Sequence, residues 1–183
     1  NMADALKHSC DIYFYQIALR IGIDAIKAMA TKLGLTEKYM DDILSREMAG
    51  VMPDRKWKEK QVGQRWVHGD TIISGIGRGF ILTNCLQLAV MMARVASNRV
   101  VTPRLIDDGT VPTFAHLDLQ KKNIKSVLAG LEQVTRPGGT AAGSAINVGG
   151  RRMGGKTGTS QVRSISRAER QSGVLTNEQL KWN

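Results

Sequence analysis

The tetrapeptide K-T-G-T near the end of this 183-residue chain carries side chains with clear chemical uses. Successive side chains on a β-strand alternate between its two faces. We predict a strand that starts near Met153 and presents the Lys156 ammonium and the Thr157 and Thr159 hydroxyls to one side of a sheet. Such a group can hold a carboxylate, and Gly158 would let a substrate backbone approach closely.

The same segment also satisfies a different pattern. Residues 150–157 read G-R-R-M-G-G-K-T, which fits the phosphate-loop pattern G-x-x-x-x-G-K-[ST]. In that interpretation Lys156 reaches the terminal phosphates of a nucleotide and Thr157 holds Mg²⁺. The context is unfavourable, because such a loop needs a buried strand before it and a helix after it, and no Asp follows Asp118. A nucleotide site at Gly150–Thr157 is kept as an alternative.

A second group of reactive residue types, Ser9-Cys10-Asp11, lies 147 residues before Lys156. A hydroxyl next to a carboxylate could relay a proton or orient a lysine ammonium. Taken alone, Ser9 could equally cap the N-terminus of a helix, and Asp11 could be a first-turn acid favoured by the helix dipole. The catalytic interpretation is favoured by the family resemblance described below, which pairs Ser9 with Lys156.

Apolar residues at three- and four-residue spacing predict the helices that must position these groups. They cover residues 3–21, 24–33, 36–46, 84–97 and 120–135, with breaks at Gly22 and Gly34. Between them we predict a long structured loop over 49–80, a short edge strand over 100–106 and a turn at Asp108 and Gly109. The fold class is therefore α+β and helix-rich.

The charge balance limits the classes of binding partner but does not identify one. The chain has 26 Lys plus Arg against 16 Asp plus Glu, a formal net charge of +10. No nucleic-acid-reading motif accompanies this charge, so we expect a solvated basic surface, with a role against anionic lipid headgroups or an anionic polymer as the alternative. Two cysteines, Cys10 and Cys85, allow one disulfide without requiring it. Their position inside apolar runs favours small buried side chains.

Several stretches in the same order along the chain resemble class B penicillin-binding proteins, and within that family the penicillin-binding protein 2 group. The resemblance covers residues 1–162. The stretches that carry it are A-L-K-H-S-C-D-I-Y-F-Y-Q from Ala5, W-V-H-G-D-T-I-I-S-G-I-G-R-G-F from Trp66, residues 84–96, R-P-G-G-T-A from Arg136, and residues 156–162.

The resemblance implies a role for each matching residue. Ser9 would relay a proton, Asp11 would orient the substrate or a catalytic lysine, and Lys156 would supply positive charge near the serine hydroxyl. The substrate carboxylate would be bound by Thr157 and Thr159, beside Gly158, and the backbone N–H at Thr159 would form part of an oxyanion hole. The glycines of the G-I-G-x-G loop, Gly75, Gly77 and Gly79, would be architectural.

The family's activity, if carried over, is D,D-transpeptidation in cell-wall synthesis. A serine acyl-enzyme would cross-link peptidoglycan stem peptides that end in D-Ala-D-Ala, and β-lactams would acylate the same serine. The resemblance implies a location on the periplasmic face of the bacterial inner membrane and elongation-complex membrane proteins as partners. It implies no metal, no organic cofactor and no nucleic-acid partner.

The sequence also departs from the family pattern. No Ser is followed three residues later by Lys, so the S-x-x-K motif that carries the nucleophile is missing from these 183 residues. We expect that motif N-terminal to Asn1, which makes residues 1–162 a partial transpeptidase domain with an incomplete antiparallel sheet. Residues 163–183 would be a mobile loop or a truncated end. The fragment alone is predicted to be inactive, and a non-catalytic basic module that binds peptidoglycan or a protein partner is the alternative.

Overall fold

A computed structural model describes residues 1–41, 43, 46–146 and 148–159. The predicted loop over 163–183 lies outside the described residues. The described part contains six α-helices and a short 3-10 turn at Ala142–Ser144. The helices are α1 (Met2–Lys7), α2 (Asp11–Lys32), α3 (Arg55–Val62), α4 (His68–Ser74), α5 (Cys85–Ser97) and α6 (Lys121–Thr135).

Strand structure in the described part is limited to two isolated antiparallel bridges. Val51 pairs with Leu82, and Arg99 pairs with His116. The structure is therefore the helix-rich part of an α+β domain, as predicted. None of the described helices is long and apolar enough to cross a bilayer.

The predicted single helix over 3–21 is wrong, because the chain breaks at Ser9. Helix α1 ends at Lys7, and α2 begins at Asp11 after an N-cap at Cys10. Ser9 adopts a positive φ of 50°, outside the helical region. The apolar spacing continues across this break, and spacing carries no signal of one residue with positive φ. Ser9 is therefore not an N-cap.

The predicted breaks at Gly22 and Gly34 are confirmed. Gly22 has non-helical angles of φ 77° and ψ 163°, so α2 is kinked there. After the C-cap at Leu33, Gly34 adopts φ 91°, and the Leu35 N–H donates to the Ala30 carbonyl at 3.0 Å. This is the hydrogen bond of a Schellman cap, which favours glycine at the left-handed position.

The predicted loop over 49–80 is wrong, since it contains α3 and α4. Helix α3 begins where the Asp54 carboxylate accepts a hydrogen bond from the Trp57 N–H at 2.6 Å. Asp54 also accepts from Lys27 of α2 at 2.5 Å, and these hydrogen bonds, that from Lys27 first, lower the pKa of its carboxyl group. Helix α3 is mostly charged, so hydrophobic periodicity could not reveal it.

A buried ion pair joins α3 to α4. Lys58 Nζ lies 2.6 Å from the Asp70 carboxylate, and both side chains are largely shielded from solvent. The same carboxylate accepts the Val67 N–H at 2.8 Å and so caps α4. Paired and hydrogen-bonded in this way, the two charges meet the condition under which burial of charge is tolerated.

Two more predicted elements are absent among the described residues. Those described within 36–46 form turns rather than a helix, because the Glu47 carboxylate accepts the N–H groups of Tyr39 and Met40 at 2.6–3.0 Å. The predicted edge strand over 100–106 is also wrong. Only the bridge at Arg99 precedes it, and Pro103 has no N–H to donate to a ladder.

The predicted turn at Asp108 and Gly109 is present. The Asp108 carboxylate accepts the Thr110 N–H at 2.9 Å. Both cysteines are free and exposed, so the expected burial of Cys10 and Cys85 is wrong.

Helix α5 matches its prediction and contains a polar anchor, Gln87. Asn84 caps the helix by accepting the Gln87 N–H at 2.8 Å. The Gln87 side chain is fully buried and donates to the carbonyl groups of Glu37 and Ala49 at 2.8 and 2.7 Å. It accepts from the Thr83 hydroxyl at 3.0 Å and the Asn84 N–H at 3.2 Å. One side chain thus ties the 37–49 segment to the start of α5.

Arg94, one turn from the end of α5, makes a second polar anchor. Its guanidinium binds the Glu37 carboxylate through two hydrogen bonds of 2.9 and 3.1 Å. It also donates to the carbonyl groups of Lys32 and Val101 at 3.2 and 3.1 Å. The Tyr39 ring lies 5.8 Å from it, and burial raises the pKa of Tyr39 to about 12.

Helix α6 also matches its prediction, and α1 packs against it. The contact is close at Gly130, where a Cβ atom would lie 2.5 Å from Leu6 Cδ1. On the same helix the Leu131 carbonyl accepts the Gly155 N–H at 3.1 Å, and the Thr135 hydroxyl donates to the Met153 carbonyl at 2.7 Å. Helix α6 therefore holds both the segment before Ser9 and the segment before Lys156.

Replacement of the buried glutamine tests the first anchor. Gln87→Leu keeps the volume but leaves two part-buried carbonyl groups and two donors without their partner. We expect the free energy of unfolding to fall by about 3 kcal/mol, because several part-buried polar groups lose their hydrogen bonds. Urea denaturation measures it. Gln16→Leu, at an exposed position of α2, is the matched control, and equal small effects of the two substitutions would contradict the anchoring role.

Candidate active site

Side chains from the two ends of the described chain meet at Ser9. The Lys156 ammonium donates a hydrogen bond to Ser9 Oγ, and Thr157 Oγ1 lies 3.2 Å from the same oxygen. Lys156 also donates to the carbonyl of Thr157 at 2.9 Å. The primary hydroxyl of Ser9 thus forms one group with an ammonium and a secondary hydroxyl that lie 147 and 148 residues further along the chain.

Ser9 owes its position to the linker between α1 and α2. The Ser9 N–H donates to the Leu6 carbonyl at 3.3 Å, and the Cys10 N–H donates to the Ala5 carbonyl at 2.9 Å. These bonds close α1 and fix the left-handed turn in which Ser9 lies. Since α1 packs against α6, the position of the Ser9 hydroxyl is fixed relative to α6.

The segment that carries Lys156 is positioned by α6 and not by a sheet. The predicted strand from Met153 is wrong for the described residues, because no strand is assigned within 151–159. A strand needs a partner to complete its ladder. Here the backbone of Met153 and Gly155 bonds to α6 instead. Adjacent side chains of a regular strand point to opposite faces, so the predicted strand could not have presented both Lys156 and Thr157 to one side. In the irregular segment that is present, both residues reach Ser9.

The remaining predicted residues are less tightly placed. Asp11 is exposed in the first turn of α2, and no hydrogen bond joins it to Lys156 in the described part of the chain. Thr159 and Gly158 are exposed, and a Cβ atom at Gly158 would meet nothing within 4 Å. The structure therefore brings Ser9, Lys156 and Thr157 together and leaves open space beside them.

Sequence reasoning assigned no role to a further hydroxyl at this site, Thr140. Its Oγ1 lies 2.8 Å from Thr157 Oγ1, and its backbone N–H donates to the Lys7 carbonyl at 3.2 Å. The R-P-G-G-T-A stretch that contains Thr140 was recognised as family-like. However, its spacing from Thr157 says nothing about contact until the turn after α6 is known.

The Lys156 ammonium lies in an environment that disfavours its charge. Partial burial lowers the pKa of Lys156, and the nearby Asp11 carboxylate opposes this effect only in part. A lysine with a lowered pKa is more readily deprotonated and can exchange a proton through the hydroxyl it contacts. The Ser9 hydroxyl can thus relay a proton between Lys156 and a bound reactant, while Thr157 offers a donor for a carboxylate.

A groove of about 450 Å³ lies apart from this group, between the bridge at Arg99 and α6. None of the predicted site residues lines it. Its rim includes Glu132, whose pKa is lowered mainly by a hydrogen bond from Arg136. The described residues bring together no group of three or more His, Cys, Asp or Glu side chains that could hold a metal ion. The expectation of a metal-free mechanism stays a prediction.

The sequence of this chain matches a known protein family. The family described as "Penicillin binding protein transpeptidase domain" matches residues 1–177. A curated relative, the peptidoglycan D,D-transpeptidase MrdA of Haemophilus influenzae, is 32% identical over 181 residues, which cover 93% of this chain and 28% of that protein. The chain spans between 17% and 28% of the length of the curated relatives it matches.

Solved structures of penicillin-binding proteins also resemble this chain. The structure of penicillin-binding protein 2 from Helicobacter pylori in complex with MreC matches with a TM-score of 0.70 and 31% identity, over 79% of this chain and 27% of that one. Penicillin-binding protein 2 from Pseudomonas aeruginosa, in complex with the compound WCK 5153, matches with a TM-score of 0.69 and 33% identity, over 78% of this chain and 33% of that one.

The pKa of Lys156 is open to direct test by ¹³C and ¹⁵N NMR titration of the lysine side chain. We expect Lys156 to titrate below an ordinary lysine. Asp11→Asn should lower its pKa further, because the carboxylate stabilises the ammonium.

Asp24→Asn, on the second half of α2, is the control and should leave the Lys156 titration unchanged. An unchanged or raised pKa in Asp11→Asn would show that Asp11 does not act on Lys156. The lowered pKa also predicts a sign for stability. Between the folded pKa and the unfolded value of 10.5 the unfolded chain binds more protons at this residue, so its contribution to stability increases with pH there.

Proposed function

Since this chain belongs to the penicillin-binding protein transpeptidase family, we propose that the protein containing it is a peptidoglycan D,D-transpeptidase. Stem peptides would be cross-linked through a serine acyl-enzyme. The observation that carries the proposal is the contact of Lys156 and Thr157 with Ser9 across the length of the chain. A relay hydroxyl, a cation and a carboxylate-binding hydroxyl are the groups that acyl transfer from a peptide with a free terminus requires.

In the proposed reaction a serine of an S-x-x-K motif attacks the penultimate D-Ala carbonyl. As the bond to the terminal D-Ala breaks, the proton released by the attacking serine moves through Ser9 to the departing amine. The acyl group then moves to an amine of a neighbouring strand, and the proton lost by that amine restores the serine hydroxyl.

The residues around Ser9 would serve this reaction in different ways. Lys156 would supply positive charge near the Ser9 hydroxyl, and Asp11 would orient the substrate or a catalytic lysine. Thr157 and Thr159 would bind the terminal carboxylate beside Gly158. The backbone N–H at Thr159 would contribute to the oxyanion hole.

The proposal extends to partners and location. The solved relative from Helicobacter pylori is complexed with MreC. We infer that the protein containing this chain also works with elongation-complex membrane proteins, on the periplasmic face of the bacterial inner membrane. Residues 1–162 would be part of its penicillin-binding domain. The basic surface would then face anionic lipid and wall polymer.

One sequence observation favours a second candidate function. The 183 residues contain no S-x-x-K, so a polypeptide limited to them has the relay group without the nucleophile. Such a polypeptide could bind peptidoglycan or a protein partner without turnover.

The phosphate-loop alternative has little structural support. No strand is assigned within the described residues 148–159, and the Lys156 ammonium is engaged by Ser9. Failure to bind a fluorescent ATP analogue with Mg²⁺ would remove that alternative.

Substitutions at the relay test the enzyme proposal in the natural protein that contains this chain. We expect that protein to be labelled by fluorescent penicillin and to release D-alanine from a stem pentapeptide. Ser9→Ala and Lys156→Met should each slow both reactions by about 10²–10⁴-fold, because proton transfer in the transition state is lost.

Two exposed positions on α6 provide matched controls, Ser126→Ala and Lys122→Met. Neither should change labelling or D-alanine release. Absence of penicillin labelling in the unsubstituted natural protein would contradict the transpeptidase proposal.

The 183-residue polypeptide by itself gives the opposite prediction. Because it has no S-x-x-K, we expect no covalent adduct after incubation with benzylpenicillin, as measured by intact mass spectrometry. The natural protein, treated in parallel, should gain the mass of one β-lactam. A stable adduct on the 183-residue polypeptide would show that another residue is acylated.

A further inference from the structure

We propose that Thr140 is a positioning residue for carboxylate binding: its hydroxyl orients that of Thr157 so that Thr157 donates to the substrate's terminal carboxylate. The inference rests on the proposed transpeptidase function and adds a residue to it. Its basis is the row of three hydroxyl groups, Thr140, Thr157 and Ser9, joined by contacts of 2.8 and 3.2 Å.

The backbone around Thr140 is fixed on three sides. The Gly139 N–H donates to the Arg136 carbonyl at 2.9 Å, the Thr140 N–H to the Lys7 carbonyl at 3.2 Å, and the Ala141 N–H to the Val134 carbonyl at 2.9 Å. At Gly139 the turn lies so close to α6 that a Cβ atom would be 2.3 Å from the Val134 carbonyl oxygen. The backbone that carries the Thr140 side chain is therefore held in place before any ligand binds, which favours pre-organisation of its contact with Thr157.

Thr140 also joins the two motif-bearing segments directly. Its N–H binds the carbonyl two residues before Ser9, and its hydroxyl contacts the residue after Lys156. One residue thus sets the spacing between the end of α1 and the K-T-G-T segment.

The contact between Thr140 and Thr157 allows either hydroxyl to donate, and the proposal makes Thr140 the donor. Each hydroxyl donates one proton and has two acceptor lone pairs. Lys156 donates to Ser9 at one end of the row. At the other end, the only hydrogen bond of the Thr140 hydroxyl within the described residues is to Thr157. We therefore assign the Thr140 proton to this bond.

When Thr140 donates, Thr157 acts as the acceptor of that pair and keeps its own proton for a ligand. A carboxylate accepts hydrogen bonds and donates none when ionised. The row therefore presents a donor to an anionic ligand and leaves the Ser9 proton for the departing amine. Without Thr140, the Thr157 hydroxyl can rotate and lose this preference.

The test compares two ligands of the natural protein that contains this chain: benzylpenicillin and its methyl ester, which lacks the carboxylate charge. The readout is the ratio of their second-order acylation rate constants. Thr140→Val keeps the shape and the backbone hydrogen bonds but removes the hydroxyl. We expect it to reduce the benzylpenicillin rate constant about tenfold, the range for one hydrogen bond to a charged ligand, and to leave the ester nearly unchanged.

Three further variants make the result specific. Thr140→Ser should restore the ratio, because it restores the hydroxyl. Thr113→Val, at an exposed threonine away from the site, should not change it. In a Thr157→Val background, Thr140→Val should have no further effect, since Thr140 acts through Thr157.

The outcomes separate the two proposals. If the unsubstituted protein is acylated but Thr140→Val leaves the ratio unchanged, or slows both ligands equally, the positioning role is overturned and the transpeptidase proposal stands. If the unsubstituted protein is acylated by neither ligand, the transpeptidase proposal fails and this inference with it. If Thr140→Val does not fold, Thr140→Ala is measured instead, with the same expected loss of the ratio.

Discussion

The candidate site depends on helix α6, which is the common support for both of its halves. One side of α6 receives α1 at Gly130, so the turn that holds Ser9 is placed by helix packing. Another side binds the backbone at Met153 and Gly155, so Lys156 is placed by hydrogen bonds to the same helix. The segments that carry Ser9 and Lys156 are far apart in sequence but are both held against α6. A shift of α6 would therefore move both segments together.

The other half of the described structure relies on polar anchors that are buried in whole or in part. Gln87, the Arg94–Glu37 pair and the Lys58–Asp70 pair each join segments distant in sequence. Every buried side-chain N or O atom in the described part has a hydrogen-bond partner. Satisfied polar networks contribute less to stability than their number suggests, but they disfavour alternative arrangements in which a partner would be lost. This explains how irregular segments without a sheet can hold a defined path.

The sequence allowed some of these features to be predicted and concealed others for physical reasons. Helices α5 and α6 were predicted because an apolar stripe and a clear end marked each of them. Helices α3 and α4 were missed because a carboxylate cap and a buried ion pair stabilise them in place of an apolar stripe. The strand at Met153 was predicted from residue types, but a strand depends on a partner, and in the described residues its backbone bonds to α6.

In the candidate site, too, some residues could be predicted from the sequence and others could not. Ser9 and Lys156 were paired through a family-like order of motifs, and the structure brings them into contact. Thr140 could not be found in this way, since its contact with Thr157 depends on the turn that follows α6.

The backbone at Ser9 has a consequence for which amino acids this position can accept. Its φ of 50° lies in a region that β-branched residues almost never occupy. Threonine carries the same hydroxyl group as serine, yet its second γ substituent would crowd the backbone there. The side chain proposed to relay the proton is thus restricted in two ways, by the need for a hydroxyl group and by the backbone conformation at this position. Variation among homologous sequences should be narrower at this position than the need for a hydroxyl alone would require.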